Sequence, residues 1–142
     1  MYNQQIAVEP HMRLQQPRIT NRILVVRPEV EILSAFKHVF AAEGMILDTY
    51  NTCEQALEML KTNSYAVLIA EVDGIKNHGN TDFAFLSDVR KKHPTVKIII
   101  LTSNGNATVK KRVLEIGASY YFEKPVFVVT IFAALRELRI MN

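Results

Sequence analysis

A carboxylate stands where an apolar run ends in the segment VLIAEVDG, residues 67–74. Four apolar residues precede Glu71, and a second acid, Asp73, follows two positions later. A hydroxyl, Thr102, follows another apolar run, and an ammonium, Lys124, follows a short aromatic run. A carboxylate, a hydroxyl and an ammonium at one place are suited to phosphoryl chemistry, which depends on positioned charges. That chemistry requires a fold that brings these groups together.

Five apolar runs alternate with five segments of helical periodicity along the chain. Continuous apolar strands separated by amphipathic helices favour a parallel sheet that is covered on both faces. Right-handed crossovers leave few topologies, so the pattern predicts an α/β fold of the (βα)5 flavodoxin-like type, with strand order 2-1-3-4-5. A polar loop is predicted at 74–81 and a last helix at 127–140. The predicted strands are 22–26, 45–50, 66–70, 96–101 and 120–122.

The predicted sheet decides which residues are candidates for a site. In a doubly wound sheet the ligand site lies beyond the carboxyl ends of the strands, near strands 1 and 3. Strand 1 leads to Arg27 and Pro28, and strand 3 leads to Glu71. Strand 4 leads to Thr102 and strand 5 to Lys124. We therefore expect these side chains to converge at one edge of the sheet.

Composition limits the class of protein. The chain has 142 residues, of which 49% are hydrophobic and 22% charged, and its formal net charge is +3, which is typical of one globular domain. No apolar run is long enough to span a bilayer, and a single cysteine excludes an internal disulfide, so a cytoplasmic protein without membrane contact is expected. Residues 1–20 are predicted to be a flexible arm before a domain at 21–142. The basic trios at 90–92 and 110–112 form no long basic run, so no nucleic-acid partner is expected.

Four segments, in this order, resemble a response-regulator receiver domain, and the resemblance covers roughly residues 22–140. The spacing from Thr102 to Lys124 matches that family without an insertion. The segments are ILVVRPEVEIL (23–33), YAVLIAEVDG (65–74), VKIIILTSNGN (96–106) and GASYYFEKPV (117–126).

The resemblance implies an Asp at the end of strand 3 that takes a phosphoryl group from a histidine kinase. It implies Mg²⁺ held by an acidic pair after strand 1, by the acceptor, and by a backbone carbonyl two residues beyond the acceptor. It also implies that Thr102 and Lys124 bind the phosphoryl oxygens and that Tyr121 is an aromatic that changes rotamer with Thr102. A cis peptide bond between Lys124 and Pro125 is implied as well.

The departures from the family pattern fall on the reactive centre. Glu71 stands at the acceptor position, and Arg27 and Pro28 replace the acidic pair. A guanidinium cannot ligate Mg²⁺, and a proline ring has no side-chain oxygen. We therefore expect no cofactor, no metal ligand and no catalytic residue, with Mg²⁺ binding lost and phosphorylation very slow or absent. In place of metal and phosphate we expect a permanent Glu71–Lys124–Arg27 cluster, with Thr102 as a further member.

The sequence therefore predicts a degenerate receiver that is not an enzyme and acts as a phosphorylation-independent interaction module in two-component-type signal transduction. Its expected partner is a signalling protein or a histidine kinase, and a homodimer through helix 4, strand 5 and helix 5 is a further expectation. The candidate partner surface consists of Lys110, Lys111, Phe127 and Phe132.

Other interpretations of the same residues stay open. The chain can also be interpreted as an active receiver that accepts phosphate with atypical ligands. A small-ligand or nucleotide module is disfavoured, because no glycine-rich phosphate loop is present among the five glycines. Glu71 and Arg27 can be solvated side chains, Asp73 can be a displaced acceptor or a loop residue, and Tyr121 can be a static core aromatic.

Overall fold

The computed structural model describes the backbone of residues 21–27, 30–72 and 78–141, and it leaves the side chains of 30–35 and 78–81 undescribed. The predicted arm at 1–20 lies outside these described residues.

Five strands and five helices alternate through the described residues. All neighbouring strands are parallel, and the strand order is β2-β1-β3-β4-β5, which confirms the predicted flavodoxin-like fold. The strands are β1 Arg22–Val26, β2 Ile46–Tyr50, β3 Val67–Glu71, β4 Lys97–Thr102 and β5 Tyr120–Glu123. The helices are α1 Val30–Ala42, α2 Cys53–Thr62, α3 His78–Lys92, α4 Ala107–Ile116 and α5 Val128–Glu137.

The two faces of the sheet carry separate hydrophobic clusters, because successive strand residues point to opposite sides. Leu24 and Val26 of β1 pack with α2, α3 and α4, whereas Ile23 and Val25 pack with α1 and α5. Both faces of β1 are therefore buried, as expected for a central parallel strand.

Helix boundaries follow local signals where the sequence supplies them. The Thr52 hydroxyl accepts a hydrogen bond from the Gln55 amide at 3.1 Å, and Gly117 ends α4 in the left-handed conformation with φ +118°. Four of the five predicted strands begin or end one residue away from their predicted bounds, and two other predicted boundaries are wrong by more. The polar loop predicted at 74–81 ends earlier, because α3 begins at His78. The last helix ends at Glu137 rather than at residue 140, since Arg139 adopts a φ of +61° that no right-handed helix contains.

A polar network ties the edge strand β2 to its neighbours. Arg22 on β1 donates a hydrogen bond to the Asp48 carboxylate at 2.9 Å, and the Tyr65 hydroxyl donates to the same oxygen at 2.6 Å. Burial raises the pKa of Tyr65, and its hydrogen bond to Asp48 adds to this rise. Burial by itself would raise the pKa of Asp48, but the hydrogen bonds from Tyr65 and Arg22 outweigh it, so the Asp48 pKa is lowered.

The lowered pKa makes the stability from Asp48 depend on pH. A carboxyl group whose pKa is lower in the folded state stabilises the fold above its unfolded pKa, about 3.9, and loses that contribution as the pH falls through the folded pKa. We expect Asp48→Asn to be less stable than the unaltered chain in urea unfolding at about pH 7, and the difference to shrink at about pH 2.5. Asp88→Asn is the control, because Asp88 pairs only across one helical turn with an exposed Lys92. An Asp48→Asn deficit of equal size at both pH values would contradict this account.

Candidate functional site

Three of the predicted site residues meet at the carboxyl edge of the sheet. Glu71 is the last residue of β3 and lies opposite Leu101 of β4, while Thr102 ends β4 opposite Glu123 of β5. The Lys124 backbone N–H donates to the Thr102 carbonyl at 2.8 Å, which extends the ladder by one residue. Strand register, and not a flexible loop, therefore fixes where each of these side chains starts.

Glu71 and Lys124 form an ion pair at this edge. The Lys124 Nζ lies 3.0 Å from Glu71 Oε1, and the two side chains are 11% and 23% exposed respectively. The peptide bond that follows Lys124 is cis, as the family resemblance implied. This part of the expected cluster is confirmed.

Arg27 is not part of that ion pair, so the expected three-member cluster is wrong in this member. Its guanidinium pairs instead with Asp82 of α3, whose side chain is only 4% exposed. The backbone helps to set the direction of the Arg27 side chain. The Arg27 N–H donates a hydrogen bond to the Tyr50 carbonyl at 2.8 Å, which continues the β1–β2 ladder, and Arg27 adopts a left-handed φ of +61°. That conformation costs a non-glycine residue about 1–2 kcal/mol, and Arg27 adopts it while pairing with a nearly buried carboxylate.

Cys53 lies beside the Arg27–Asp82 pair at the start of α2. Its sulfur is 3.7 Å from the Arg27 Nη2 and 4.0 Å from Asp82 Oδ1. Burial raises the pKa of the Cys53 thiol, the Arg27 charge opposes this, and the charges of Asp82 and Glu54 add to it. The cysteine is therefore a small buried residue that packs the ion pair from one side.

Thr102 reaches the same strand edge without joining the ion pair. It is fully buried, and its hydroxyl accepts a hydrogen bond from the Asn104 backbone amide at 3.3 Å. The hydroxyl thus fixes the first turn of the loop between β4 and α4. The expected membership of Thr102 in the charge cluster is wrong within the described contacts.

Asp82 is the site residue that the sequence interpretation missed. It is one of only two polar residues in the described part of the chain that are buried, the other being Thr102. The signal was present, since Asp82 directly precedes the apolar Phe83, but its partner lies 55 residues away along the chain. No local pattern connects the two. Pro28 and Asp73 lie outside the described residues.

The acidic side chains that the structure describes at this edge of the sheet are a poor match for the ligands of Mg²⁺. That ion requires near-octahedral oxygen coordination, usually with one or two carboxylates. Here the Glu71 carboxylate is engaged by an ammonium and the Asp82 carboxylate by a guanidinium. Among the side chains that the structure describes, in 21–27, 36–72 and 82–141, no three histidine, cysteine or acidic residues come together in a way that could hold a metal ion.

Within each basic trio, the arginine makes contacts inside the protein while the two lysines are exposed to solvent. Arg90 donates to the carbonyls of Pro94 and Val96, both at 2.8 Å, and Arg112 lies 4.0 Å above the Phe83 ring. These arginines therefore tie α3 and α4 to their surroundings. By contrast, Lys110 and Lys111 are exposed on α4, as the candidate partner surface requires.

The aromatic residues of the candidate partner surface separate into one exposed and one buried. Phe127, just before α5, is 70% exposed, whereas Phe132 is 8% exposed and packs edge-to-face on Phe40 with ring centroids 5.0 Å apart. The expectation that Phe132 lies on the surface is wrong, because it faces the sheet. The sequence interpretation missed Val129, which is 71% exposed next to Phe127.

Comparison with known proteins identifies the family. The profile of the response regulator receiver domain matches residues 23–136, which is most of the chain. The chain belongs to the response regulator receiver domain family. Receiver domains interact with histidine kinases in two-component signal transduction.

Curated relatives and solved structures agree with this assignment. The chain is 26% identical over 117 residues to the transcriptional regulatory protein BasR of Escherichia coli K12 and 31% identical over 117 residues to CutR of Streptomyces coelicolor. These alignments cover 82% of this chain but 51% and 52% of the relatives, so the chain spans about half the length of the curated relatives it matches.

Two solved receivers share the fold. The CheY-like receiver domain protein of Methanospirillum hungatei JF-1 superposes with a TM-score of 0.73 at 21% identity, covering 85% of this chain and 94% of that one. The beryllofluoride-activated NtrC4 receiver domain dimer gives a TM-score of 0.74 at 24% identity, covering 84% and 96%. None of the described helices has the length and apolar character that crossing a membrane requires.

A double-mutant cycle tests whether Glu71 and Lys124 stabilise the domain as a pair. Breaking a fully buried ion pair costs about 3–5 kcal/mol, and this pair is partly exposed, so we expect Lys124→Met and Glu71→Gln each to lower the free energy of unfolding by about 1–3 kcal/mol. The double variant should lose less than the sum, because neither single charge is then left alone. Urea unfolding measures all four proteins, with the exposed Lys110→Met as a control. Additivity within about 0.5 kcal/mol would contradict the coupling.

Proposed function

We propose that this chain is a degenerate receiver domain that does not turn over phosphate and acts as a phosphorylation-independent protein-interaction module in two-component-type signalling in the cytoplasm. The observation that supports this most directly is the 3.0 Å ion pair between Glu71 and Lys124. It occupies the acceptor position with a carboxylate that already has a cationic partner.

The charge balance at the strand edge supports the proposal. Glu71 and Asp82 supply two negative charges, and Lys124 and Arg27 supply two positive charges, so these four residues sum to zero without a metal ion. Transfer of a phosphoryl group depends on cations that neutralise the charge developing on its oxygens. Mg²⁺ at this edge would lie close to an ammonium and a guanidinium, and both cations would repel it. We therefore propose that Mg²⁺ binding is lost.

Interaction with a partner then runs through the surface of the α4–β5–α5 side. Lys110 and Lys111 offer exposed positive charge on α4, and Phe127 offers an exposed aromatic ring next to it. An aromatic side chain flanked by charge is typical of an interface that combines an apolar centre with a polar rim. We propose a signalling protein or histidine kinase with an acidic contact surface as the partner, with no nucleic acid involved.

An active receiver with atypical ligands is the alternative. The Glu71 side chain is 23% exposed, so solvent and a small phosphodonor have access to it, and Thr102 and Lys124 match the family pattern. The two candidates differ in whether Glu71 is ever modified.

The experiment exposes the full chain to MgCl₂ with acetyl phosphate, and separately to MgCl₂ with beryllium fluoride. We expect no phosphoryl adduct by intact-mass spectrometry and no saturable change in the ¹H–¹⁵N spectrum around Glu71. The reason is that no Mg²⁺ ion is held beside Glu71 to neutralise the charge of either anion. The NtrC4 receiver domain, which is described as beryllofluoride-activated, is the positive control.

Glu71→Asp is the matched variant for that experiment. It supplies an acceptor of the family type but leaves Arg27 and Pro28 in place, so we expect it to stay unmodified. Phosphate on Glu71 of the unaltered chain would overturn the proposed function in favour of the active receiver. Phosphate on the Glu71→Asp variant alone would show that the acceptor, rather than the missing metal ligands, blocks the reaction.

Self-association through the same surface is a second part of the proposal. Phe127 and Val129 are the two most exposed large apolar residues in the described part of the chain, and they lie two positions apart at the start of α5. The NtrC4 receiver domain, which shares the fold, is described as a dimer. Two copies of this chain that buried these side chains against each other would remove both from water.

Light scattering over a range of concentrations tests this dimer. We expect a mass above that of the monomer, and we expect Phe127→Asp or Val129→Asp to weaken the dimer by about 1.5–3 kcal/mol, or roughly ten- to hundredfold in dissociation constant, because a buried apolar side chain is lost. Val39→Asp, on the exposed side of α1, is the control and should leave the mass unchanged. A monomer at all concentrations in the unaltered chain would contradict self-association.

A further inference from the structure

The Tyr121 ring occupies a position that only a glycine at residue 105 permits. A Cβ atom built on Gly105 would lie 1.8 Å from the Tyr121 hydroxyl oxygen and 2.7 Å from the Thr102 Cγ2. Both distances are far below van der Waals contact, so any side chain at position 105 must displace the tyrosine ring or the threonine. Tyr121 itself packs on the cluster formed by α2, α3 and α4.

Gly105 is needed for space rather than for backbone conformation. Among the described glycines, Gly44 and Gly117 adopt positive φ values of +77° and +118°, whereas Gly105 does not. Other residue types could adopt its backbone conformation without the steric cost of a left-handed φ. The absence of a side chain at position 105 is therefore explained by the tyrosine hydroxyl that fills the space.

The inward position of Tyr121 is not held by a strong hydrogen bond. Its hydroxyl is buried, and no group in the described residues lies in hydrogen-bonding geometry with it. Burial raises the pKa of Tyr121 and the Glu123 charge raises it further, although the Asn106 backbone amide is close enough to oppose the rise. A buried hydroxyl beside the poorly aligned Asn106 backbone amide gains little from hydrogen bonding, so we attribute the preference for this rotamer to packing over Gly105.

Tyr121 also borders a cleft at the surface. It has a volume of about 380 Å³ and lies between α4 and α5, next to the exposed Phe127. Tyr121 contributes to its wall, so a ring that rotated out of the core would enter this cleft. Its lining includes Lys110, Tyr121, Glu123, Val126, Phe127 and Thr130.

We propose that Gly105 is a positioning residue that holds Tyr121 inward without any phosphoryl group and so keeps the α4–α5 cleft permanently open. In the family the corresponding aromatic is expected to move when phosphate arrives, whereas here the β4–α4 loop sets its position. The biological meaning of this lock rests on the proposed function, because an open cleft serves a partner that binds the unphosphorylated domain. The position of the ring can be tested independently.

The experiment uses the full chain labelled with 3-fluorotyrosine, without Mg²⁺ or a phosphodonor. The ¹⁹F signal of Tyr121 is assigned by its loss in Tyr121→Phe, and a soluble paramagnetic agent reports its exposure. We expect the Tyr121 signal to be protected in the unaltered chain and its paramagnetic broadening to rise severalfold in Gly105→Ala. Asn104→Ala, in the same loop with an exposed side chain, and Gly44→Ala, where a Cβ meets open space, should leave the Tyr121 signal protected.

A Tyr121 signal that stays protected in Gly105→Ala would overturn the proposal. The double variant Gly105→Ala/Tyr121→Phe covers the case in which the single variant does not fold, because it removes the oxygen that the new Cβ would strike. Two differences in melting temperature are compared: that between Gly105→Ala and the unaltered chain, and that between the double variant and Tyr121→Phe. The proposal is supported if the second difference is smaller than the first. It is overturned if the two differences are equal. Phosphate on Glu71 would contradict the proposed function but would leave the protection of the Tyr121 signal unchanged. Failure of the proposed function and failure of this inference can therefore be distinguished.

Discussion

The ion pair between Glu71 and Lys124 is the contact on which the site depends. Three strand registers place its two members: β3 ends on Glu71, β4 lies between, and the ladder continues past β5 to Lys124. The pair is only partly open to water, so its attraction is less screened than that of a surface pair. A carboxylate at the acceptor position is thereby committed to a partner inside the fold.

A second pair completes the electrostatics of the strand edge. Arg27 follows β1 in a left-handed conformation and pairs with the nearly buried Asp82 of α3. Asp82 would be costly to bury as an isolated ion, so its burial depends on the charge of Arg27. Arg27 in turn would repel a dication at this edge. Together the two pairs connect β1, β3, α3 and the segment after β5, and they leave no net charge among their four members for a metal ion to neutralise.

The surface of the α4–β5–α5 side joins this strand edge to the outside. Lys124 lies three residues before Phe127, and Tyr121 lies three residues before Lys124, so the charged site, the aromatic ring and the exposed apolar surface share one short segment. Phe132 completes the other side of α5 by packing on Phe40. A fixed charge pair and a fixed tyrosine would both favour one conformation of this surface, which is what a module that binds without phosphorylation requires.

The sequence by itself determined the alternation of strands and helices, the strand order, and the meeting of Glu71 with Lys124, because periodicity and strand ends are local properties that parallel pairing converts into position. Tertiary structure decided the rest. The pairing of Arg27 with Asp82 depends on how α3 sits against the sheet, which no spacing of 55 residues encodes. The burial of Phe132 could not be assigned because α5 is apolar around much of its circumference. The role of Gly105 appears only when a hydroxyl from a neighbouring strand fills the space where a side chain would otherwise be.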